Sequence, residues 1–359
     1  MILVSIILPI CLLVLTILIL MGLYNSLNKD SYECKSSEEN ISIIIAVKNE
    51  SGNLPKLFTR LRELNYPRDN FEVIFVDDDS ADNSLTLIEQ NLQENYRLIK
   101  STNKKYPAKK GVLDIGIRSS KFNTIAITDA DCEPETDWLK SISQKISQGY
   151  DVIFGYSPLK ANNKLISKIS SFENLRNYIL YFSAVGLGIP YSATSRSLAF
   201  TKQAYNKING YSNTLETLSG DDDLFIREAV KQKMKIGVFR NSNDLVYSNP
   251  AESFKDYFHR KSRHLKTSHH YLFKHQILLG LWHSINILSL YSIFLIILSP
   301  PFVIPFLTKM ILDIFTIMKV RNNLPHEFNW LDTLRLQVFY ETFLIINFIN
   351  SFVKKDKWK

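Results

Sequence analysis

The stretch Thr124-Ile125-Ala126-Ile127-Thr128-Asp129-Ala130-Asp131 runs from a β-branched, apolar segment straight into two carboxylates. A near-continuous apolar run of this length reads as a strand buried on both faces of a parallel sheet. In open α/β sheets ligands bind beyond the carboxyl ends of the strands, where Asp129 and Asp131 stand. A second segment repeats the pattern, with Val73-Ile74-Phe75-Val76 leading into Asp77-Asp78-Asp79-Ser80. One aspartate at a strand end is ordinary turn chemistry. Five carboxylates at two neighbouring strand ends repel one another unless a cation or hydrogen-bond donors compensate. A hard cation with oxygen ligands, Mg²⁺ or Mn²⁺, shared with the phosphates of a substrate, is the natural compensation.

Outward from these two segments the alternation of strands and helices continues. Ile41–Val47 is another apolar run, Asn53 with Pro55 opens a helix carrying Leu54, Leu57, Phe58, Leu61 and Leu64, and 84–91 and 112–119 read as further helices. Residues 71–76, 97–100 and 124–128 read as the remaining strands. The pattern is that of a parallel sheet wrapped by helices. Neither G-x-G-x-x-G after a strand nor G-x-x-x-x-G-K-[ST] occurs, which argues against dinucleotide redox chemistry and P-loop hydrolysis.

The 359 residues include 43 Lys and Arg against 35 Asp and Glu, a net charge of +8. That charge is segregated: residues 1–28 and 276–308 carry no Asp, Glu, Lys or Arg. Such a chain is neither disordered, nor collagen-like, nor a simple secreted protein. The apolar run 2–23 reaches about 33 Å as a helix, enough to cross a bilayer core of about 30 Å. No basic residue precedes it and no small-residue cleavage site follows, so it is expected to stay as an anchor. Lys29 and Lys35 come after it, which puts the central domain in the cytoplasm by the positive-inside tendency. Residues 277–298 form a second span. A shorter one, 302–318, holds Lys309 and Asp313 at a spacing that lets them neutralise each other on one helix face. A last apolar stretch, 336–353, contains only Glu341 as an acid, so two or three C-terminal spans are both open, and with them the side of the basic tail 354–359. The expected division is an anchor at 1–28, an α/β domain at 29–250, an interface segment at 251–275 and a C-terminal membrane region at 276–359.

The interface segment carries Lys255, Arg260, Lys261, Arg263, Lys266 and Lys274 among Phe254, Tyr257, Phe258, Tyr271 and Phe273, a composition suited to the headgroup plane. Its five histidines form no complete zinc ligand set. Cys11, Cys34 and Cys132 have neither a disulfide nor a zinc pattern and read as incidental. The excess positive charge fits anionic lipid or a diphosphate ligand, and no nucleic-acid module is present.

Taken in order, these motifs resemble the family 2 glycosyltransferases of GT-A fold, the inverting group that includes the cellulose, chitin and hyaluronan synthases. The resemblance covers roughly residues 41–271. Lys48-Asn49-Glu50 is similar to the family's R/K-N-E turn, and 66–82 to its nucleotide-binding segment. Asp129-Ala130-Asp131-Cys132-Glu133-Pro134 is similar to the extended D-x-D motif. Ser219-Gly220-Asp221-Asp222-Asp223-Leu224 is similar to the acidic motif that supplies the catalytic base. Arg260-Lys261-Ser262-Arg263-His264 stands where Q-x-x-R-W is expected, with Arg in place of Gln and His in place of Trp. Ser195-Arg196-Ser197-Leu198-Ala199 likewise replaces G-x-N-L-A. The missing Trp argues against a polymer-extruding enzyme.

The resemblance implies a mixed, mainly parallel sheet flanked by helices, with Mn²⁺ or Mg²⁺ as cofactor. It implies Asp131 as first metal ligand and Asp129 as a ligand or ribose contact. It implies Asp77, Asp78 and Glu50 in the nucleotide pocket, Lys110 as a donor contact, and Arg263, with Arg260 next, on the phosphate oxygens. Asp222, with Asp221 next, is the general base for the acceptor. The expected function is a membrane-bound inverting transferase moving a sugar from a nucleotide-diphosphate donor to a lipid-linked or saccharide acceptor at the cytoplasmic face, with membrane lipid as a further partner. The rivals are a processive polysaccharide synthase and a catalytically inactive membrane scaffold. Phosphoryl transfer through D-x-D-x-T lacks its Thr, because Cys132 and Glu133 follow Asp131.

Overall fold

In the computed structural model, which describes residues 2–28 and 38–353, the chain forms an α/β unit and a helical unit. Cys34, Lys29, Lys35 and the tail 354–359 lie outside the described residues.

The α/β unit takes its described residues from 38–160 and 190–249. Its strands are β1 (Ile41–Val47), β2 (Phe71–Asp77), β3 (Tyr96–Lys100), β4 (Thr124–Asp129), β5 (Cys132–Pro134), β6 (Val152–Gly155), β7 (Leu198–Thr201), β8 (Ile236–Phe239) and β9 (Val246–Ser248). Seven of them make one sheet in the order β3-β2-β1-β4-β7-β6-β8, and β5 pairs with β9. β1 runs parallel to β2 and β4, β2 parallel to β3, and β6 parallel to β8, while β7 is antiparallel to both its neighbours. The sheet is therefore mixed and mainly parallel. Each expected strand is present, β2 and β4 reaching one residue further so that Asp77 and Asp129 close them.

Ile41, Ile43, Ile44, Ile45 and Val47 are all buried, as a strand covered on both faces requires. Each such side chain stabilises the fold by roughly 1.5–3 kcal/mol relative to exposure. The helix Leu54–Arg62 buries Leu54, Leu57, Phe58 and Leu61, one stripe at helical spacing. Asn53 holds the N-cap position, but its side chain makes no cap; its Nδ2 donates instead to Glu50 Oε2 at 2.7 Å. The helix read from the sequence as 112–119 starts earlier, at Ala108.

The strand order reverses direction between β1 and β4, which makes the carboxyl ends of these two strands the switch-point crevice. Register places Asp77 beside Val47 and Asp129 beside Ala46, so the two acidic segments flank the end of β1. They stand two strand spacings apart, about 10 Å.

The helical unit contains Ile2–Asn28, Leu165–Gly186, Phe254–Ser268, Phe273–Tyr291, Val303–Val320 and Trp330–Val353. Among the described residues three stretches are long and apolar enough to cross a membrane, Leu3–Leu27, Phe273–Ile297 and Pro300–Val320. Residues 161–189, expected within the α/β domain, belong to this unit instead. The reason is packing. Gly22 and Gly186 let the first two helices touch backbone to backbone, since a Cβ on Gly186 would overlap the Gly22 carbonyl. Ser183 Oγ donates to the Ile19 carbonyl at 2.8 Å alongside.

Lys309 and Asp313 do pair, at 2.8 Å, but not alone. Lys309 Nζ also meets Glu341 at 2.9 Å and Asn286 Oδ1 at 2.8 Å, and Arg176 meets Asp313 at 2.6 Å. The Arg176 guanidinium lies over the Tyr340 ring. Two cations and two anions thus balance inside the helical unit. Three residues before Arg176, Glu173 accepts from Tyr257 Oη and pairs with Lys261 at 3.1 Å.

Candidate active site

The turn after β1 is built by its own backbone donors. Asn49 N donates to Ser80 Oγ at 3.1 Å, Glu50 N to Ser84 Oγ at 2.8 Å and Ser51 N to Asp82 at 3.0 Å. The R/K-N-E-like turn is thereby fastened to the acidic turn after β2. Asn49 and Asp79 take left-handed backbone angles, with φ of +56° and +57°, which Asn and Asp tolerate best among residues with a Cβ. Asp79 is exposed, so it serves the turn.

Asp78 is buried and takes three donors: Lys48 Nζ at 3.2 Å, Ser101 Oγ at 2.7 Å and Lys104 Nζ. Burial alone would raise its pKa, but Lys104, Ser101 and Lys48 outweigh burial and hold it below the usual carboxylate range. Asp77 is also buried. Its Oδ2 accepts from Ser80 N at 3.2 Å, while Oδ1 has no hydrogen-bond partner among the described residues. A buried carboxylate oxygen left without a donor suits a ligand N–H. Glu50, assigned to the same pocket from the sequence, gives its carboxylate to Asn53 and its carbonyl to the N–H groups of Asn53 and Leu54.

The second half of the crevice gathers acids from distant parts of the chain. Lys109 Nζ lies 2.7 Å from Asp129 Oδ1, 2.8 Å from Asp221 Oδ2 and 2.7 Å from Ser195 Oγ. Ser195 N donates to Asp222 Oδ2 at 2.9 Å, and Asp223 N to Asp222 Oδ1 at 2.7 Å. Gly220, at a φ of +83° that a residue with a Cβ rarely adopts, turns the chain into Asp221 and Asp222. Asp223 accepts from Ser192 Oγ and begins the helix Asp223–Lys231. Burial and the neighbouring Asp221 charge push the Asp222 carboxyl up to about 6, against the opposing pull of Lys109 and the two backbone donors. Asp221 moves the other way: burial would raise it, but Lys109 outweighs burial and holds it down. Lys109 stays protonated, since the two carboxylates outweigh its burial.

One ligand atom from each of Asp129, Asp131 and Cys132 lies within 4.8 Å of the others. Burial, with Asp131 and Asp129 next, raises the Cys132 thiol well above its ordinary value, so it is protonated and a poor ligand. The two carboxylates are half-buried and offer hard oxygen donors, a set that fits Mg²⁺ or Mn²⁺ completed by phosphate and water oxygens.

Two residues escaped the sequence reading. Lys109, not Lys110, enters the acid cluster. Lys110 is fully buried and gives its ammonium to the carbonyls of Thr214 and Thr217, bracing the loop that leads to Gly220. Ser195 is the other, a residue noted only as a departure from G-x-N-L-A. Arg260 and Arg263 lie in the helical unit, on Phe254–Ser268. Arg260 pairs with Asp256 at 2.7 Å, and Arg263 Nε is buried without a hydrogen-bond partner among the described residues.

Residues 42–200 match the model of glycosyl transferase family 2. The undecaprenyl-phosphate 4-deoxy-4-formamido-L-arabinose transferase of Proteus mirabilis is 27% identical over 32% of this chain and 35% of its own length. An uncharacterized glycosyltransferase of Synechocystis sp. is 33% identical over 32% of this chain and 36% of its own. The alignments thus span about a third of the length of these curated relatives. Among solved structures, the mannosyltransferase PcManGT of Pyrobaculum calidifontis, in complex with GDP-Man and Mn²⁺, superposes with a TM-score of 0.55 at 12% identity. That superposition covers 97% of this chain and 99% of that one, a likeness of fold.

Proposed function

Residues 42–200 belong to glycosyl transferase family 2, and from that premise we propose that the protein is a membrane-bound, inverting glycosyltransferase that moves one sugar from a nucleotide-diphosphate donor to an acceptor hydroxyl. The observation that carries the reading is the meeting of Asp129, Asp221 and Asp222 around Lys109 and Ser195, from four separate stretches of chain. In this reading Asp77 and Asp78 hold the nucleotide's base and ribose, with the free Asp77 Oδ1 taking a base N–H. Asp131 and Asp129 hold Mn²⁺ or Mg²⁺. The metal, when bound, neutralises charge developing on the diphosphate.

The acceptor oxygen attacks the anomeric carbon from the face opposite the diphosphate. Its proton passes to a carboxylate oxygen of Asp222, the carbon–oxygen bond to the diphosphate breaks, and nucleoside diphosphate leaves. Asp222 suits this role because its pKa lies close to working pH, where a base is both ionised and able to hold a proton. The resemblance assigns Arg260 and Arg263 to the leaving diphosphate, and the kinetics of their variants decide that role. The apolar helices support an enzyme held in a membrane, with the catalytic domain on the cytoplasmic side and a lipid-linked acceptor.

A second reading concerns the acceptor. Transferases acting on undecaprenyl phosphate stand among the relatives, and a phosphate acceptor is already ionised at neutral pH and needs no base. The test uses the full chain in detergent with Mn²⁺ and a panel of nucleotide sugars, read as nucleoside diphosphate release. Asp131→Ala and Asp222→Ala are each expected to abolish release. Activity surviving Asp222→Ala alone would favour a phosphate acceptor, and activity surviving both would refute the site. Product length by mass spectrometry separates single transfer from processive synthesis.

A further inference from the structure

The acid cluster has its own cation. Lys109 Nζ touches Asp129, Asp221 and Ser195 at 2.7–2.8 Å, in a position where its side chain is almost closed to solvent. Its neighbour Lys110 gives its ammonium to the Thr214 and Thr217 carbonyls and reaches Asp221 and Asp222 only through space, so Lys109 is the lysine in contact with Asp129 and Asp221. The backbone is shaped to deliver that ammonium. Ala108, immediately before it, takes a φ of +52°, a left-handed conformation disfavoured by a residue with a Cβ. The helix Ala108–Ser119 starts at this strained residue, which sets the direction in which Lys109 leaves the chain. Asp129, whose Oδ1 takes the Lys109 ammonium, is also a member of the group able to hold a metal.

We propose that Lys109 is a built-in counter-ion that occupies Asp129 while the site is free of ligand and yields it when a divalent cation binds, so that this lysine sets the affinity for the metal. The proposal rests on the reading of Asp129 and Asp131 as the metal site and adds a competitor to it. A divalent ion and an ammonium held against the same carboxylate, a few ångströms apart, repel each other strongly. Binding of the ion at Asp129 therefore drives the ammonium away from it, towards Asp221 and Ser195, its other partners. Without a lysine there, the cluster would hold its carboxylates closer to bare, at a cost in stability that a divalent ion would relieve.

The experiment measures Mn²⁺ binding to the full chain in detergent, without nucleotide, by the loss of the free-ion paramagnetic resonance signal. Thermal melting is followed in parallel with and without Mn²⁺. Lys109→Met is expected to bind Mn²⁺ about tenfold more tightly or better than the wild type, because a positive charge a few ångströms from the ion is removed. Its melting point is expected to be lower without the ion and to rise more on Mn²⁺ addition. Lys109→Arg keeps the charge and is expected to stay within about threefold of the wild type. Should Lys109→Met not fold, Lys109→Gln, which keeps a hydrogen bond to Asp221, gives the same comparison. Unchanged or weaker Mn²⁺ affinity in a folded Lys109→Met or Lys109→Gln overturns the proposal. Asp131→Ala is the control that separates the two readings: if it leaves Mn²⁺ binding intact, the metal-site assignment itself fails. If it abolishes binding while the Lys109 variants do not tighten it, only the counter-ion role fails.

Discussion

Two buried clusters of charge, one in each unit, are put together on opposite terms. In the helical unit Arg176 and Lys309 face Asp313 and Glu341, two cations for two anions, with Asn286 bonded to Lys309 and the Tyr340 ring under Arg176. In the α/β unit the Lys109 ammonium contacts Asp129 and Asp221, with Asp131 and Asp222 close by and Lys110 acting on Asp221 and Asp222 through space. The first cluster pairs its charges one for one, and its chemistry is that of a fastening. The second gathers four carboxyl groups around these lysines, an arrangement suited to binding a further cation or moving a proton.

The largest expected effect lies in the unbalanced cluster. Asp222→Asn keeps the size of the side chain and removes the base, and kcat is expected to fall about a thousandfold with a hydroxyl acceptor. Donor KM should move little, because Asp222 touches Ser195 and Asp223 rather than Asp77 or Asp78. Steady-state kinetics with a melting curve check this, since an amide can accept only one of the two backbone donors. A kcat within tenfold of wild type would remove Asp222 from the mechanism.

Next comes the balanced cluster. Lys309→Met leaves Asp313 and Glu341 with Arg176 alone, and breaking a buried pair in this way typically costs 3–5 kcal/mol, here a loss of about that size. The double variant Lys309→Met/Glu341→Gln restores neutrality and is expected to recover most of the loss, as a double-mutant cycle on denaturant unfolding in detergent will show. Nucleoside diphosphate release per folded molecule should be unchanged in both. If release falls in the stable double variant, this cluster too does more than fasten helices.

How much of this was legible in the sequence follows the range of the forces involved. Strands such as Ile41–Val47 and the switch-point acids could be read because burial on both faces and turn chemistry are local in sequence. The Lys309–Asp313 pair was legible from its i,i+4 spacing, whereas Arg176 and Glu341 come from helices whose packing no spacing reveals. The choice between Lys109 and Lys110 was likewise closed to the sequence. Adjacent residues at a helix start point about 100° apart, and which one faces the acids depends on the left-handed turn at Ala108. Residues 161–189 cluster with the helical unit, which their sequence does not signal, because a helix interspersed with Ser and Asn reads as soluble until its partner's small residues are seen. Ser195 carried no signal beyond its place in a motif that departs from its family.

A graded effect comes from pH. Asp222 acts as a base only when ionised, so kcat/KM should rise with pH through an apparent value of about 6 and lose about tenfold per unit below it. The stability linkage has the opposite sign. A carboxyl whose folded pKa is raised is penalised when ionised, so its unfavourable contribution is full above about 6 and fades as pH falls towards the ordinary value of 3.8. Activity and this group's contribution to stability therefore part company between pH 6 and pH 4. A rate that falls there only in step with unfolding would count against the assignment.

The smallest effect marks the lower bound of the comparison, a pair that is neither buried nor unbalanced. Arg260 and Asp256 lie one turn apart on Phe254–Ser268, 44% and 30% exposed, and meet at 2.7 Å. An exposed i,i+4 pair contributes about 0.3–0.5 kcal/mol, less at high salt, because water screens the charges and both side chains lose rotamer freedom. Arg260→Ala should therefore shift the melting point by no more than about a degree or two, a shift that 0.5 M salt in the wild type should reproduce. This makes the variant a clean probe of the diphosphate role assigned by resemblance. With stability untouched, a rise in donor KM in Arg260→Ala would support the diphosphate role, whereas an unchanged KM would count against Arg260 in it and shift the test to Arg263→Ala.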